Sequence, residues 1–151
     1  MKVSEVMSGK VVSVAADESV NRVAGIMCEH GLTALLVTEG EKPVGIVTGG
    51  DLIRAMLPRY AEICDDDRYL HDYEFAEKRV DLVAGMPIRH IMTNGVITVE
   101  EDTPVLKAAA LLQLHKIKWL PVMRGEQVVG IVTRRDICRG LLTRRQREGA
   151  A

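Results

Sequence analysis

The chain repeats itself without a gap at a spacing of 85 residues. Gly45-Ile46-Val47-Thr48-Gly49-Gly50-Asp51 returns as Gly130-Ile131-Val132-Thr133-Arg134-Arg135-Asp136. Laying Val3 to Arg54 on Ile88 to Arg139 gives 52 pairs, of which 18 are identical. Met7/Met92, Val14/Val99, Asp17/Asp102, Val20/Val105, His30/His115, Leu35/Leu120 and Val37/Val122 are among them. A gapless repeat constrains the fold more than composition does, because both copies must adopt the same local structure. Two copies are too few for a solenoid. They point to a pseudo-twofold pair in which any ligand site occurs twice.

Each copy parses alike. Val11-Val12-Ser13-Val14 and Val96-Ile97-Thr98-Val99 are short β-branched runs that predict strands. Asp17 and Asp102 stand where a helix N-cap belongs, and Thr103-Pro104 places proline in a first turn. Val20, Val23, Ala24 and Met27 then recur at helical spacing, as do Val105, Ala108, Ala109 and Leu112. Gly31 predicts the end of the first helix. Leu35-Leu36-Val37 and Val44 to Val47, joined through Gly40, predict a β-hairpin, and the second copy repeats it around Gly125. A second helix is expected near Thr48/Asp51 and near Thr133/Asp136. The unit is therefore β-α-β-β-α. It is too small to close a good core alone, so the two copies are expected to pack sheet to sheet.

The remaining stretches differ in charge. Residues 58–87 are acidic in their first part, with Glu62, Asp65, Asp66, Asp67, Asp72, Glu74 and Glu77 against Arg68. Phe75, Lys78-Arg79-Val80, Leu82 and Val83 predict a helix there. The end of the chain is basic, with Arg134, Arg135, Arg139, Arg144, Arg145 and Arg147. Solvated helix faces account for both stretches, and a contact between them is the alternative. The expected organisation is repeat one at 1–57, a partly helical acidic linker at 58–87, repeat two at 88–142 and a basic tail at 143–151.

Bulk properties exclude several functions. The net charge of −1 gives no strong field toward nucleic acid or membrane, and 3% aromatic content offers few rings for stacking bases. Cys28, Cys64 and Cys138 make an odd count without paired spacing, so neither a disulfide framework nor a zinc site is indicated. No apolar run is long enough to span a membrane, and the first residues lack an apolar signal core. These features point to a reducing cytoplasm. His71-Asp72-x-Glu74 is a weak metal candidate beside the plainer reading of a solvated segment.

The β-α-β-β-α order, the Gly-hydrophobic-hydrophobic-Thr-x-x-Asp signature present twice in register, and Trp119-Leu120-Pro121-Val122 resemble a tandem pair of cystathionine-β-synthase (CBS) domains, a Bateman module. The resemblance covers both repeats. It implies an α/β fold of two pseudo-twofold CBS repeats that binds adenosine compounds (AMP, ADP, ATP or S-adenosylmethionine) and dimerises. It also implies a regulatory module without catalysis, needing no cofactor beyond its nucleotide and signalling to an unidentified protein target. A ligand-independent scaffold is the rival reading, and nucleic-acid binding through the arginine-rich tail is a third, against which the acidic mid-segment and scarce aromatics argue.

The same resemblance assigns site residues. The aspartate of each signature would accept from the ribose hydroxyls and the threonine would contact ribose or phosphate, giving Thr48 with Asp51 and Thr133 with Asp136. Thr-x-x-Asp is equally a capping box that any helix can use. In the family the remaining wall of each pocket comes from the other repeat. This implies Val96, Ile97, Lys118 and Trp119 for the Asp51 pocket, and Val11, Val12, Thr33 and Ala34 for the Asp136 pocket. Lys118 suits a phosphate as a point charge, or is a solvent-facing strand-end lysine. Trp119 borders the nucleotide or packs in the core. Arg134 and Arg135 reach phosphates or lie on an exposed helix start. His30 and His115 belong at helix ends. Leu52, Ile53, Met56 and Leu57, with Ile137, Cys138, Leu141 and Leu142, mark helices expected to meet a second chain.

Overall fold

A computed structural model describes residues 1–149, with side chains as far as residue 144. Repeat one contributes β1 (Ser13–Ala15), α1 (Val20–Glu29), β2 (Ala34–Glu39), β3 (Lys42–Thr48) and α2 (Gly49–Met56). The insert that follows is α3 (Tyr60–Asp65), α4 (Arg68–His71) and α5 (Tyr73–Ala84). Repeat two supplies β4 (Thr93–Asn94), β5 (Val99–Glu100), α6 (Val105–Leu114), β6 (Trp119–Arg124), β7 (Gln127–Thr133) and α7 (Arg134–Gly149). The expected β-α-β-β-α order is present twice. The basic stretch continues α7 to Gly149, while the side chains of Arg145 and Arg147 lie outside the described residues.

In each repeat the first strand runs parallel to the second, because a helix makes the crossover. The second and third strands form an antiparallel hairpin. Gly40 and Gly125 take φ of 60° and 62° at the first position of the two-residue turns, which only glycine adopts without strain. Both hairpins carry a bulge at the same place, after Val37 and after Val122. Gly31 follows the α1 cap at φ 60°, as its sequence position predicts, and Lys116 occupies the matching place at φ 54°.

The first strands are shorter than their β-branched runs suggest. Val11-Val12 and Val96-Ile97-Thr98 fall outside β1 and β5. β1 pairs Ser13 with Leu36, whereas Pro121 stands at the matching position of β6. Proline has no N–H for the ladder, and β5 begins one residue later, at Val99.

The helix caps also differ from expectation. Asp17 and Asp102 do not cap α1 and α6. They sit in turns closed by Glu18 N–H to the Ala15 carbonyl (3.1 Å) and Thr103 N–H to the Glu100 carbonyl (3.0 Å). Ser19 caps α1, its hydroxyl accepting from the Arg22 N–H, and Pro104 stands at the cap of α6 with no side-chain bond. The reason is tertiary. The first helical N–H, otherwise unpaired, donates to a carbonyl of the other repeat's leading segment: Val20 to Met86 (2.9 Å) and Val105 to Met1 (3.1 Å).

Those leading segments organise the chain into two compact units. Residues 13–95 form one, and residues 1–12 join the chain from Val96 onward to form the other. Each unit thus combines the body of one repeat with the leading segment of the other. Thr93 and Asn94 pair with Ile46 and Gly45 at the edge of the first sheet, and Ser8 bridges Ile131 at the equivalent edge of the second. Val3 and Val6 enter the second unit's core beside Val99, Val105, Ala108, Leu112, Leu120, Val122, Val132 and Ile137. In the first unit Ile88 is fully buried, along with Val20, Val23, Leu35, Leu36, Val37 and Val47.

Gly45 and Gly130, the glycines that open the repeated signature, make this edge possible. A methyl group on Gly130 would lie 2.7 Å from the Met7 sulfur and 2.8 Å from the Ser8 carbonyl oxygen. On Gly45 it would strike the Met92 side chain and lie 2.9 Å from the Thr93 carbonyl oxygen. The obstructing carbonyls are backbone and cannot swing aside.

The insert is held locally. Asp72 caps α5, accepting from the Phe75 N–H at 3.0 Å. The Arg68 guanidinium lies 4.1 Å from the Phe75 ring centre, and its hydrogen bonds hold the Asp66 carboxyl below the usual range. Among the described residues no helix is long and apolar enough to cross a membrane, and no group of three or more His, Cys, Asp or Glu is placed to hold a metal ion.

Gly130→Ala and Gly45→Ala should each destabilise the chain by about 1–3 kcal/mol, the usual cost of overpacking. Urea unfolding measures this, and a change at Gly9, which has open space around it, serves as the neutral control.

Candidate functional site

The repeated signature builds the same local structure in both units. Thr48 leaves β3 in an extended conformation (φ −118°, ψ 163°) and caps α2. Its hydroxyl accepts from the Asp51 N–H at 3.2 Å. The Asp51 carboxylate reaches back, and its Oδ2 accepts from the Thr48 N–H at 2.8 Å and from the Thr48 hydroxyl at 3.0 Å. The same reciprocal set at α7 measures 3.2 Å, 3.0 Å and 2.6 Å between Thr133 and Asp136. The capping box is therefore real, and it fixes each carboxylate's direction to within one rotamer.

Capping alone does not explain the burial. Asp51 is 7% exposed and is the one polar or charged residue buried among the described residues. The second oxygen of each carboxylate, Oδ1, faces an arginine one turn along the helix. Arg54 Nη2 lies 2.5 Å from Asp51, and Arg139 Nη2 lies 3.2 Å from Asp136. Sequence reading gave these arginines no role. The available signal was their identity in both repeats, three residues beyond the aspartate.

Within the first unit, Thr33 and Ala34 adjoin Thr48 and Asp51. Ala34 pairs with Thr48 across the hairpin, and the Gly49 N–H donates to the Thr33 carbonyl at 3.3 Å. Gly49 and Gly50 leave the start of α2 uncrowded.

Within the second unit, Trp119 pairs with Thr133, which places Lys118 at the same strand end. Arg134 Nη2 donates to the Ile117 carbonyl at 3.0 Å, so one of the two arginines is spent on the backbone. Arg135 and Lys118 are exposed, and Trp119 is half-buried. Val11, Val12, Val96 and Ile97, all half-buried, belong to this unit with Thr133 and Asp136. The two half-sites are therefore unequal. A neutral, glycine-lined helix start carries Asp51, and a basic one carries Asp136.

The remaining candidates have plainer places. His30 and His115 stand at the C-caps of α1 and α6. Leu52 and Ile137 face the cores, whereas Ile53 (59%), Leu57 (56%) and Leu142 (63%) are exposed.

A CBS-domain family model matches residues 3–58 and 88–143, both copies of the repeat. An uncharacterized protein of Methanocaldococcus jannaschii is 30% identical over 137 residues, 90% of this chain and 31% of that protein. The CBS domain of a CBS-domain-containing membrane protein from Sphaerobacter thermophilus superposes with a TM-score of 0.71 at 26% identity, covering 91% of this chain and 86% of that one. The CBS-domain pair of a protein named MJ0100, in complex with 5′-methylthioadenosine and S-adenosylmethionine, gives a TM-score of 0.68 at 27% identity, covering 95% and 98%. The chain spans 31%, 61% and 23% of the length of the first three curated relatives it matches. Two family matches in register, on two copies of one fold, place this chain in the CBS-domain family as a tandem pair.

Proposed function

We propose that the chain is a regulatory module that binds adenosine nucleotides at two half-sites, Thr48/Asp51 and Thr133/Asp136, and reports their occupancy to a partner protein. The observation that carries this reading is the pair of oriented carboxylates. Each is held at a helix start by its own threonine, and Asp51 is buried beyond what a surface cap requires. A carboxylate accepts from both hydroxyls of a ribose in charge-assisted bonds. Thr33, Ala34, Lys118 and Trp119 at the hairpin ends, with Val11, Val12, Val96 and Ile97 of the unit that carries Asp136, are the proposed surroundings of sugar and base.

Phosphorylated adenosines fit the basic half-site better than S-adenosylmethionine does. Lys118 and Arg135 attract phosphate, and they oppose the sulfonium of the alternative ligand.

α2 supplies a route for the signal. Its first turn carries Asp51, and near its end the Ala55 carbonyl accepts from Arg79 Nε of α5 at 3.4 Å. A shift of α2 on binding would move the insert, and binding would select among its positions. The exposed Ile53, Leu57 and Leu142 are the proposed surface for a second copy of the chain.

A ligand-independent scaffold has one observation in its favour: the capping box and the arginines already satisfy both carboxylates. Thermal shift with AMP, ADP, ATP and S-adenosylmethionine separates the two readings, since a scaffold melts at the same temperature with all of them.

Calorimetry should show that Asp51→Ala and Asp136→Ala each weaken nucleotide binding at their own half-site by about 1.5–3 kcal/mol, the range for a hydrogen bond to a charged group. A folded double variant with native affinity ends the ribose reading. Lys118→Thr should reduce ADP affinity more than adenosine affinity, with the difference shrinking in high salt. Light scattering should give a dimer that Ile53→Glu or Leu142→Glu shifts toward monomer, and a native chain that is monomeric at high concentration removes the assembly.

A further inference from the structure

We infer that Arg54 and Arg139 are the empty-site occupants of the two carboxylates, and that ligand binding exchanges each guanidinium for a ribose diol. This rests on the ribose reading above.

The argument begins with the acceptor count. A carboxylate oxygen offers two lone pairs. Oδ2 of Asp51 uses both, on the N–H and hydroxyl of Thr48. Oδ1 holds Arg54 and has one lone pair left. A vicinal diol held by the carboxylate brings two O–H donors and needs two acceptor positions. Thr48 cannot give way, because its bonds start α2. Arg54 can. The cap is complete without it, its side chain is 72% exposed, and water replaces the carboxylate at little cost. Asp136 repeats this arrangement, with Thr133 on Oδ2 and Arg139, 69% exposed, on Oδ1.

The empty state supplies the converse reason. A charge as buried as Asp51 needs a donor on its open oxygen whenever no ligand is present. An arginine three residues along the helix reaches that oxygen and withdraws without moving the backbone.

The two copies are graded. Gly50 lies beneath the Arg54 guanidinium, and a methyl group there would come within 3.3 Å of Nη1. Repeat two has Arg135 at this position, and its carboxylate is less deeply covered, the Asp136 side chain being 14% exposed against 8% for Asp51. The missing side chain at Gly50 leaves the Arg54 guanidinium room over Asp51. The Asp51 half-site is therefore the more strongly self-occupied.

Adenosine is the probe, because it has the diol and no charge. Each half-site is isolated by an alanine at the other aspartate, and affinity is read by calorimetry at low and high salt. The native Asp51 half-site should bind adenosine more tightly as salt rises, since salt screens the exposed ion pair that competes with it. Arg54→Gln should bind about two- to fivefold more tightly at low salt, the worth of an exposed ion pair, and should lose the salt dependence. Gly50→Ala should shift affinity the same way, and Arg139→Gln should gain less than Arg54→Gln. Adenosine binding in Arg54→Gln that equals or falls below native, while Asp51 remains essential, overturns the exchange and leaves the ribose site standing. Adenosine binding that survives Asp51→Ala with Asp136→Ala, or is absent from the native chain, overturns the ribose reading and the exchange with it.

Discussion

The architecture depends on two missing side chains. At Gly45 and Gly130 the third strand of each repeat presents bare backbone, and the other repeat's leading segment lies directly against it. That contact closes a sheet edge that would otherwise offer unpaired donors and acceptors. It also brings Met1 and Met86 to the starts of α6 and α1, where their carbonyls satisfy the first helical N–H groups. Val3, Val6 and Ile88 then enter the cores from the same segments. Neither repeat completes its own unit, so the exchange couples the folding of the two copies.

The glycine that admits the segment and the threonine–aspartate pair that orients a carboxylate are three and six residues apart on one strand-to-helix turn. Edge closure, helix initiation and the candidate site are thus served by a single short signature. The threonine hydroxyl both accepts from the aspartate N–H and donates to its side chain, which leaves the carboxylate no freedom to turn away. Glutamate at the same position would carry an extra rotatable bond and place its charge farther from the helix start. The structure therefore gives a physical reason for the glycine, the threonine and the aspartate of the signature.

Much of this was legible in the sequence because it is local. Helical spacing marked α1 and α6, Gly40 and Gly125 marked the hairpin turns, and Gly31 marked the end of α1. Thr48 and Thr133 read as ribose contacts with capping as the alternative, and the structure shows the caps. What failed depended on partners distant in the chain. Asp17 and Asp102 have the composition of N-caps, yet the helices start later because a remote carbonyl serves them. Thr98 has strand propensity, yet Pro121, opposite it on the neighbouring strand, offers no N–H at that register. The arginines were visible as an identity between repeats, but only side-chain placement puts them on the second oxygen of each aspartate.

By itself, then, the sequence determined the repeat and the element order, and it marked the threonine–aspartate pair at the start of each second helix. These follow from hydrogen bonds and spacings spanning only a few residues. The tertiary structure decided which segment completes which unit, where strands and helices begin, and how differently the two aspartates are surrounded. Those outcomes rest on contacts between residues distant in the chain, such as Ser8 with Ile131, 123 positions apart, and Val20 with Met86, 66 positions apart, and a one-dimensional pattern holds no record of them.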